Sequence, residues 1–207
     1  MMSRQKMKIT TLCVGLATTL VLLSGALTSE LRAGGATAPA DSSDPVAASR
    51  KAAGALGEAL REKLMAAMKT EGPIGALGVC NTAAPGIAQS KSAELGLKIG
   101  RTSLKLRNPS NAPDAWERSV LEGFEKKLAA GADPATLEHH ETVETNGKKT
   151  LRFMKAIPTG EPCLTCHGKA IAPDVAAEIK RLYPQDAATG FELKTLRGAF
   201  TVSRALN

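Results

Sequence analysis

No pair of residues constrains the fold of this chain more than Asn146-Gly147. Both residue types tolerate positive φ, and a two-residue turn between antiparallel strands demands positive φ at both of its central positions. The runs on either side, Leu137 to Thr145 and Lys149 to Ile157, read as the two arms. The dipeptide therefore predicts a hairpin, and with it an antiparallel sheet.

Helical patterns surround that hairpin. From Val46 to Thr70 the chain is Ala-rich, with Leu56, Leu60, Leu64 and Met68 spaced by four, which predicts an amphipathic helix ended by Gly72-Pro73. Cys80 to Leu95 reads as a second helix, with Pro85 near its first turn and Gly96 as its stop. Lys98 to Leu106 has strand character. A turn-rich stretch, Arg107 to Pro113, leads into a helix in which Trp116, Val120, Phe124 and Leu128 recur on one face and Gly131 closes the run. A short helix from Pro173 to Leu182 precedes Pro184, and Leu196 to Ala205 reads as a last strand. This order predicts an α+β fold in which helices cover an antiparallel sheet within a single domain. With only 3% aromatic residues, the core must be built mainly from Ala, Leu, Val and Ile.

The N-terminus has a different logic. Arg4, Lys6 and Lys8 precede an apolar stretch from Ile9 to Leu27, the layout of a secretory signal, with Leu31-Arg32-Ala33 and Ala38-Pro39-Ala40 as places where small residues permit cleavage. An uncleaved membrane anchor is the alternative, and either one puts the folded part outside the cytoplasm, in the periplasm or beyond. Residues 1–33 are thus expected to be signal peptide or anchor, 34–45 a small polar linker and 46–207 the domain. Setting the leader aside lowers the formal charge from +7 to +4, with 23 basic against 19 acidic residues. That balance is mild, and no nucleic-acid module accompanies it.

Cys13 belongs to the leader, which leaves Cys80, Cys163 and Cys166 in the domain. Three cysteines in an exported chain cannot all pair. Cys163-Leu164-Thr165-Cys166-His167 is a C-x-x-C-H sequence directly after the hairpin's second arm. Two thiols on one helical turn reach the two vinyl groups along one porphyrin edge, and the next residue brings an imidazole to the iron, so the motif predicts one haem c attached through Cys163 and Cys166 with His167 as iron ligand. A redox dithiol lacks a thioredoxin-like βαβ setting here, and a zinc site lacks further ligands at metal-binding spacing.

The iron's other face has several candidates. Met154 lies in a strand pattern where a structural methionine is the ordinary explanation, and Met65 and Met68 are distant in sequence. His139 and His140 are adjacent, so a strand turns at most one of them inward, and Glu138 and Glu141 favour an exposed position. Cys80 follows an apolar approach (Ile74, Leu77, Val79) to an expected helix N-terminus, a location that favours thiolate; a small buried residue explains it equally well. Arg101 and Arg107 are candidates to pair with haem propionates, with packing of the Arg-Asn-Pro turn as the alternative. Asn108 and Asn111 are expected to shape that turn, and Trp116 to be core.

Several blocks together resemble one family: Val79-Cys80-Asn81 with Ala84-Pro85 and Ile87-Ala88; Gly100-Arg101-Thr102-Ser103-Leu104-Lys105; Arg107-Asn108-Pro109 with Asn111, Pro113 and Trp116; and Cys163 to His167. It is the bacterial family of c-type haem proteins with a PAS-like fold, long catalogued as a domain of unknown function and often the sensor part of signalling proteins. The resemblance covers roughly residues 46 to 205. It implies a six-coordinate haem held by His167 and Cys80, and a domain that senses redox state or a diatomic ligand. No kinase or other output region follows before Asn207, which counts against direct signalling by this polypeptide and points to a separate redox or signalling partner. A small electron-transfer cytochrome c is the alternative, and a haem peroxidase, which needs an open iron position and acid/base groups beside it, is the third class; no enzymatic activity is expected under the first two.

Overall fold

The computed structural model describes residues 44–206; the expected signal or anchor and most of the linker lie outside the described residues. Its elements in order are α1 (Pro45–Gly78), a π-helical turn (Val79–Ala83), α2 (Ala84–Leu95), β1 (Lys98–Thr102), α3 (Ala115–Ala129), β2 (Glu138–Thr145), β3 (Lys148–Pro158), α4 (Glu161–His167), α5 (Pro173–Leu182) and β4 (Leu196–Leu206). The four strands form one antiparallel sheet in the order β1-β4-β3-β2. Asn146 (φ 53°) and Gly147 (φ 74°) turn the chain between β2 and β3, with Thr145 opposite Lys148. The fold is the expected α+β domain, PAS-like in its helix-covered antiparallel sheet.

Neighbouring residues of β3 show how both faces of that sheet are used. Phe153 and Met154 are both fully buried and, as consecutive strand residues, point to opposite faces. Phe153 joins Ala52, Ala53, Leu56 and Leu60 of α1 with Ile99 and Val202. Met154 joins Val120, Leu121 and Phe124 of α3 with Ala156 and Ala199. Small alanines on α1 let the helix approach closely, so a chain poor in aromatics still packs two apolar layers. A third cluster sets Leu77 of α1 against Val175 and Ile179 of α5.

Two helix boundaries differ from expectation. The chain leaves helical geometry at Gly72 (φ 69°, ψ −171°) as the Gly-Pro pair predicts, but it restarts at once with Pro73 as a first-turn residue and stays helical through Leu95. Cys80 therefore lies inside a continuous helical run, on a π turn, and not at a helix N-terminus. The dipole argument for thiolate at that position lapses with this correction. The strand expected over Lys98 to Leu106 stops at Thr102, opposite Ala199; beside it, any side chain at Gly198 would collide with the Thr102 carbonyl oxygen.

α3 is held at its start by a capping box: the Asp114 carboxylate accepts from Glu117 N–H and Glu117 returns the bond to Asp114 N–H. Trp116, expected in the core, is only half-buried. Its indole N–H donates to Glu141 (2.6 Å), and the Arg152 guanidinium lies 4.3 Å from the ring centre, so it closes the edge of the α3 layer.

Candidate functional site

β3 hands the chain to α4 within three residues, and that short helix carries the cysteine motif. Pro162 sits in its first turn, where a missing N–H costs nothing. Cys163 and Cys166 then lie one turn apart and His167 ends the helix; all three are half-buried and the cysteines are unpaired. Past His167 the chain bends back so that Phe191 N–H donates to His167 O (2.9 Å) and Gly190 N–H to Gly168 O (3.0 Å). The Phe191 ring meets the imidazole edge-on, with centroids 6.1 Å apart.

The imidazole is fixed by one bond. His167 Nδ1 lies 2.6 Å from Ala188 O, and since a carbonyl only accepts, Nδ1 carries the proton and Nε2 keeps a free lone pair. Burial, followed by the positive charges of Arg197 and Arg107, pushes the imidazole pKa down to about 3, so the ring is neutral at any ordinary pH. A neutral imidazole with an oriented N–H is the form that binds a metal.

These residues face a cleft of about 220 Å³. Leu64, Met68, Ala76, Leu77 and Ile157 supply apolar wall; Cys80, Cys163 and Cys166 bring three sulfurs from two separate segments; Arg101, Arg197 and Tyr183 add polar groups. Burial pushes the Cys166 thiol up, against the pull of Arg107, with the nearby Cys80 and Cys163 adding to the rise. Burial likewise raises the Tyr183 hydroxyl to about 12, with Cys80 contributing, and lowers Arg101. Arg197 falls to about 10 through burial and through Arg107 and Arg101 beside it. Three guanidinium groups thus crowd one wall, and a single carboxylate, Asp186, is paired with one of them. Such a wall invites an anionic ligand.

Arg107 is the one already matched. Its Nε and one terminal nitrogen fork onto Asp186 (3.1 and 3.0 Å), and the same terminal nitrogen reaches Cys166 O (2.6 Å) and Ala188 O (3.3 Å). Both partners are almost wholly buried. Arg107 therefore ties the Arg-Asn-Pro turn to the cysteine helix and to the loop behind His167. Arg101 has no such bonds and lines the cleft, as does Arg197, whose role was not evident from sequence because nothing in a strand pattern marks which arginine faces inward. Tyr183 and Asp186 were also missed; each sits in the loop after α5, where no periodicity guides the eye. Asn108 caps a short 3₁₀ turn by accepting from Ser110 N–H (2.9 Å), the turn-shaping role expected of it.

The other candidates for iron fall elsewhere, with one exception. Met154 is core, Met65 is exposed at the surface of α1, and His139 and His140 lie on the edge strand β2, the first against Trp116 at 5.8 Å and the second exposed. Only Met68 shares the cleft with Cys80. Among the described residues no three His, Cys, Asp or Glu side chains are grouped to hold a bare metal ion. A metal at His167 would have to arrive in a group that supplies most of its own ligands, and the donor set of one imidazole, two adjacent thiols, one separate thiol and unpaired guanidinium groups fits haem in that respect. A broader cleft of about 660 Å³ opens between the end of α3 and residues 190–196, lined by Glu125, Leu128, Phe191, Leu193 and Lys194, and holds no cysteine or histidine.

Fold and site together define a PAS-like α+β domain whose helices and sheet converge on a C-x-x-C-H cleft. The chain belongs to the Tll0287-like family, whose model matches residues 31–204. Among solved structures it is similar to the cyanobacterial heme-protein Tll0287, with a TM-score of 0.61 and 21% identity over 81% of this chain and 98% of that one. No curated protein matches it.

Proposed function

We propose that this chain is an exported haem-binding domain that carries one haem c and senses redox state or a diatomic gas through a bond that breaks at Cys80. The observation that carries the reading is the His167 imidazole, held neutral with Nε2 free, in the same cleft as Cys163, Cys166 and Cys80. The solved relative is itself named as a heme-protein, which supports the cofactor. The basic and apolar leader supports export.

When bound, the haem would supply a one-electron couple and an iron able to take up a diatomic ligand. The chain's residues do the rest. The Cys163 and Cys166 thiols would hold the haem covalently, each adding across one vinyl group with the sulfur on one carbon and the proton on the other. His167 Nε2 donates to the iron while Ala188 O holds Nδ1–H. Cys80 would hold the iron as a thiolate, a donor that favours the ferric state and would bind ferrous iron less firmly. Arg101 and Arg197 hold propionate carboxylates, and the apolar wall of Leu64, Leu77 and Ile157 keeps water from the ring.

Met68 supports a second reading, a small electron-transfer cytochrome with His167 and Met68 ligation and no displacement step. Binding of CO or NO separates the two, since the sensor takes up either in the reduced state and the cytochrome neither. Peroxide chemistry has weaker support because neither His139 nor His140 lines the cleft. Covalent attachment is tested by acid-acetone extraction of the purified protein: haem should stay with the chain, and it should become extractable when Cys163 and Cys166 are both replaced by Ser.

A further inference from the structure

We propose that Arg107 and Asp186 are positioning residues that set how strongly His167 donates to the iron, acting through the carbonyl of Ala188. The inference rests on the haem reading above and deepens it. Three observations carry it. Ala188 O accepts from two donors at once, His167 Nδ1–H at 2.6 Å and an Arg107 terminal nitrogen at 3.3 Å. The N–H of the same residue donates to Asp186 Oδ1 at 3.0 Å. Asp186 in turn grips Arg107 by a two-pronged ion pair in which both side chains are only 7% exposed.

The consequence follows from the chemistry of a shared acceptor. A carbonyl oxygen has two lone pairs, and a cation donating to one of them withdraws electron density from the other. With Arg107 in place, Ala188 O is a weaker acceptor for Nδ1–H, and the imidazole keeps less anionic character. Without it, Nδ1–H is pulled harder toward oxygen, Nε2 becomes a stronger donor and the ferric state gains. Asp186 works in the opposite direction by offsetting the Arg107 charge, and its bond from Ala188 N–H, which belongs to the preceding peptide, fixes where residue 188 stands. The pair also fixes where the acceptor stands, because Arg107 bonds Cys166 O (2.6 Å), one residue before the ligand itself. A lysine keeps the charge but lacks the Nε–H and the planar fork that grip both Asp186 oxygens, so its ammonium is not held at the place from which the arginine reaches Ala188 O.

The test uses the full-length holoprotein and three variants: Arg107→Gln, Arg107→Lys and Asp186→Asn. Midpoint potential and the solvent-exchange rate of the His167 Nδ1–H proton, observed by NMR in the reduced state, are read together. Arg107→Gln should favour the ferric form by about tenfold in the oxidised-to-reduced equilibrium, or ~59 mV for one electron. Arg107→Lys should shift the same way despite its unchanged charge, and Asp186→Asn the opposite way. Nδ1–H exchange should slow in both arginine variants, where the bond to Ala188 O strengthens, and speed up in Asp186→Asn. If Arg107→Lys leaves both potential and exchange at the parent values, the shared carbonyl has no part in tuning and the proposal is overturned; a purely structural pair would lower thermal stability without this opposed pattern. Asp186→Asn keeps the shape of the side chain and provides the sign test should the arginine variants fold poorly. Loss of the haem reading is recognised separately, by a parent protein whose iron is not bound by His167.

Discussion

The imidazole of His167 joins the cleft's burial to its chemistry. Its pKa falls from 6.5 to about 3 through burial and neighbouring positive charge, so the folded chain resists a proton that the unfolded chain accepts. Stability of the haem-free chain should therefore be intact above pH 6.5 and decline as the pH drops from there toward 3, by at most about 1.4 kcal/mol per pH unit from this group. Urea midpoints measured across that range check it, and His167→Gln should flatten the profile. Arg107 offers a second residue-scale prediction. Truncation to Ala strands the Asp186 carboxylate inside the protein, which should cost about 3–5 kcal/mol, read by denaturant unfolding, whereas breaking an exposed pair such as Arg181 with Glu178 should leave the unfolding midpoint nearly unchanged. At this scale the sequence was legible where chemistry is local. Cys163, Cys166 and His167 are spaced by one helical turn and need no partner to be recognised. Arg107 and Asp186 stand 79 residues apart, and nothing in either segment says that they meet.

Among the elements, the Gly72 break and the π turn at Val79–Ala83 together aim Cys80. Gly72 occupies a backbone region that only glycine enters without strain, and no atom crowds the place a Cβ would take. Gly72→Ala should therefore cost about 1–3 kcal/mol purely through the backbone, and it should weaken the Cys80 bond by shifting the helical run that begins at Pro73. A melting curve beside the ferric absorption spectrum checks both effects. The hairpin, α3 and α5 were readable because turn chemistry, caps and four-residue spacing are written in consecutive side chains; α5 spans Pro173–Leu182 as its pattern predicts. The π turn was not. It adds one residue to a helical turn, a change too small for a pattern of period 3.6 to register, and no residue type announces it. Gly72-Pro73 was read as an ending because a Gly-Pro pair that stops one helix and a pair that stops it and starts the next look alike in sequence.

The described residues form an antiparallel sheet with α1 and α2 on one face and α3 on the other, and the cleft lies where the second half of α1, the end of β3 and the loop after α5 converge. That convergence is what sequence reading could not supply: it named the motif, Cys80 and Arg101, but which distant segments complete the wall depends on how the sheet is wrapped. The family match and the solved relative agree with the fold so described. The central claim is that His167 and Cys80 share one haem iron. Electron paramagnetic resonance of the ferric holoprotein tests it most directly, comparing the parent with Cys80→Ala. A low-spin thiolate signature in the parent that vanishes in the variant is the predicted result; the same spectrum from both proteins would contradict the claim.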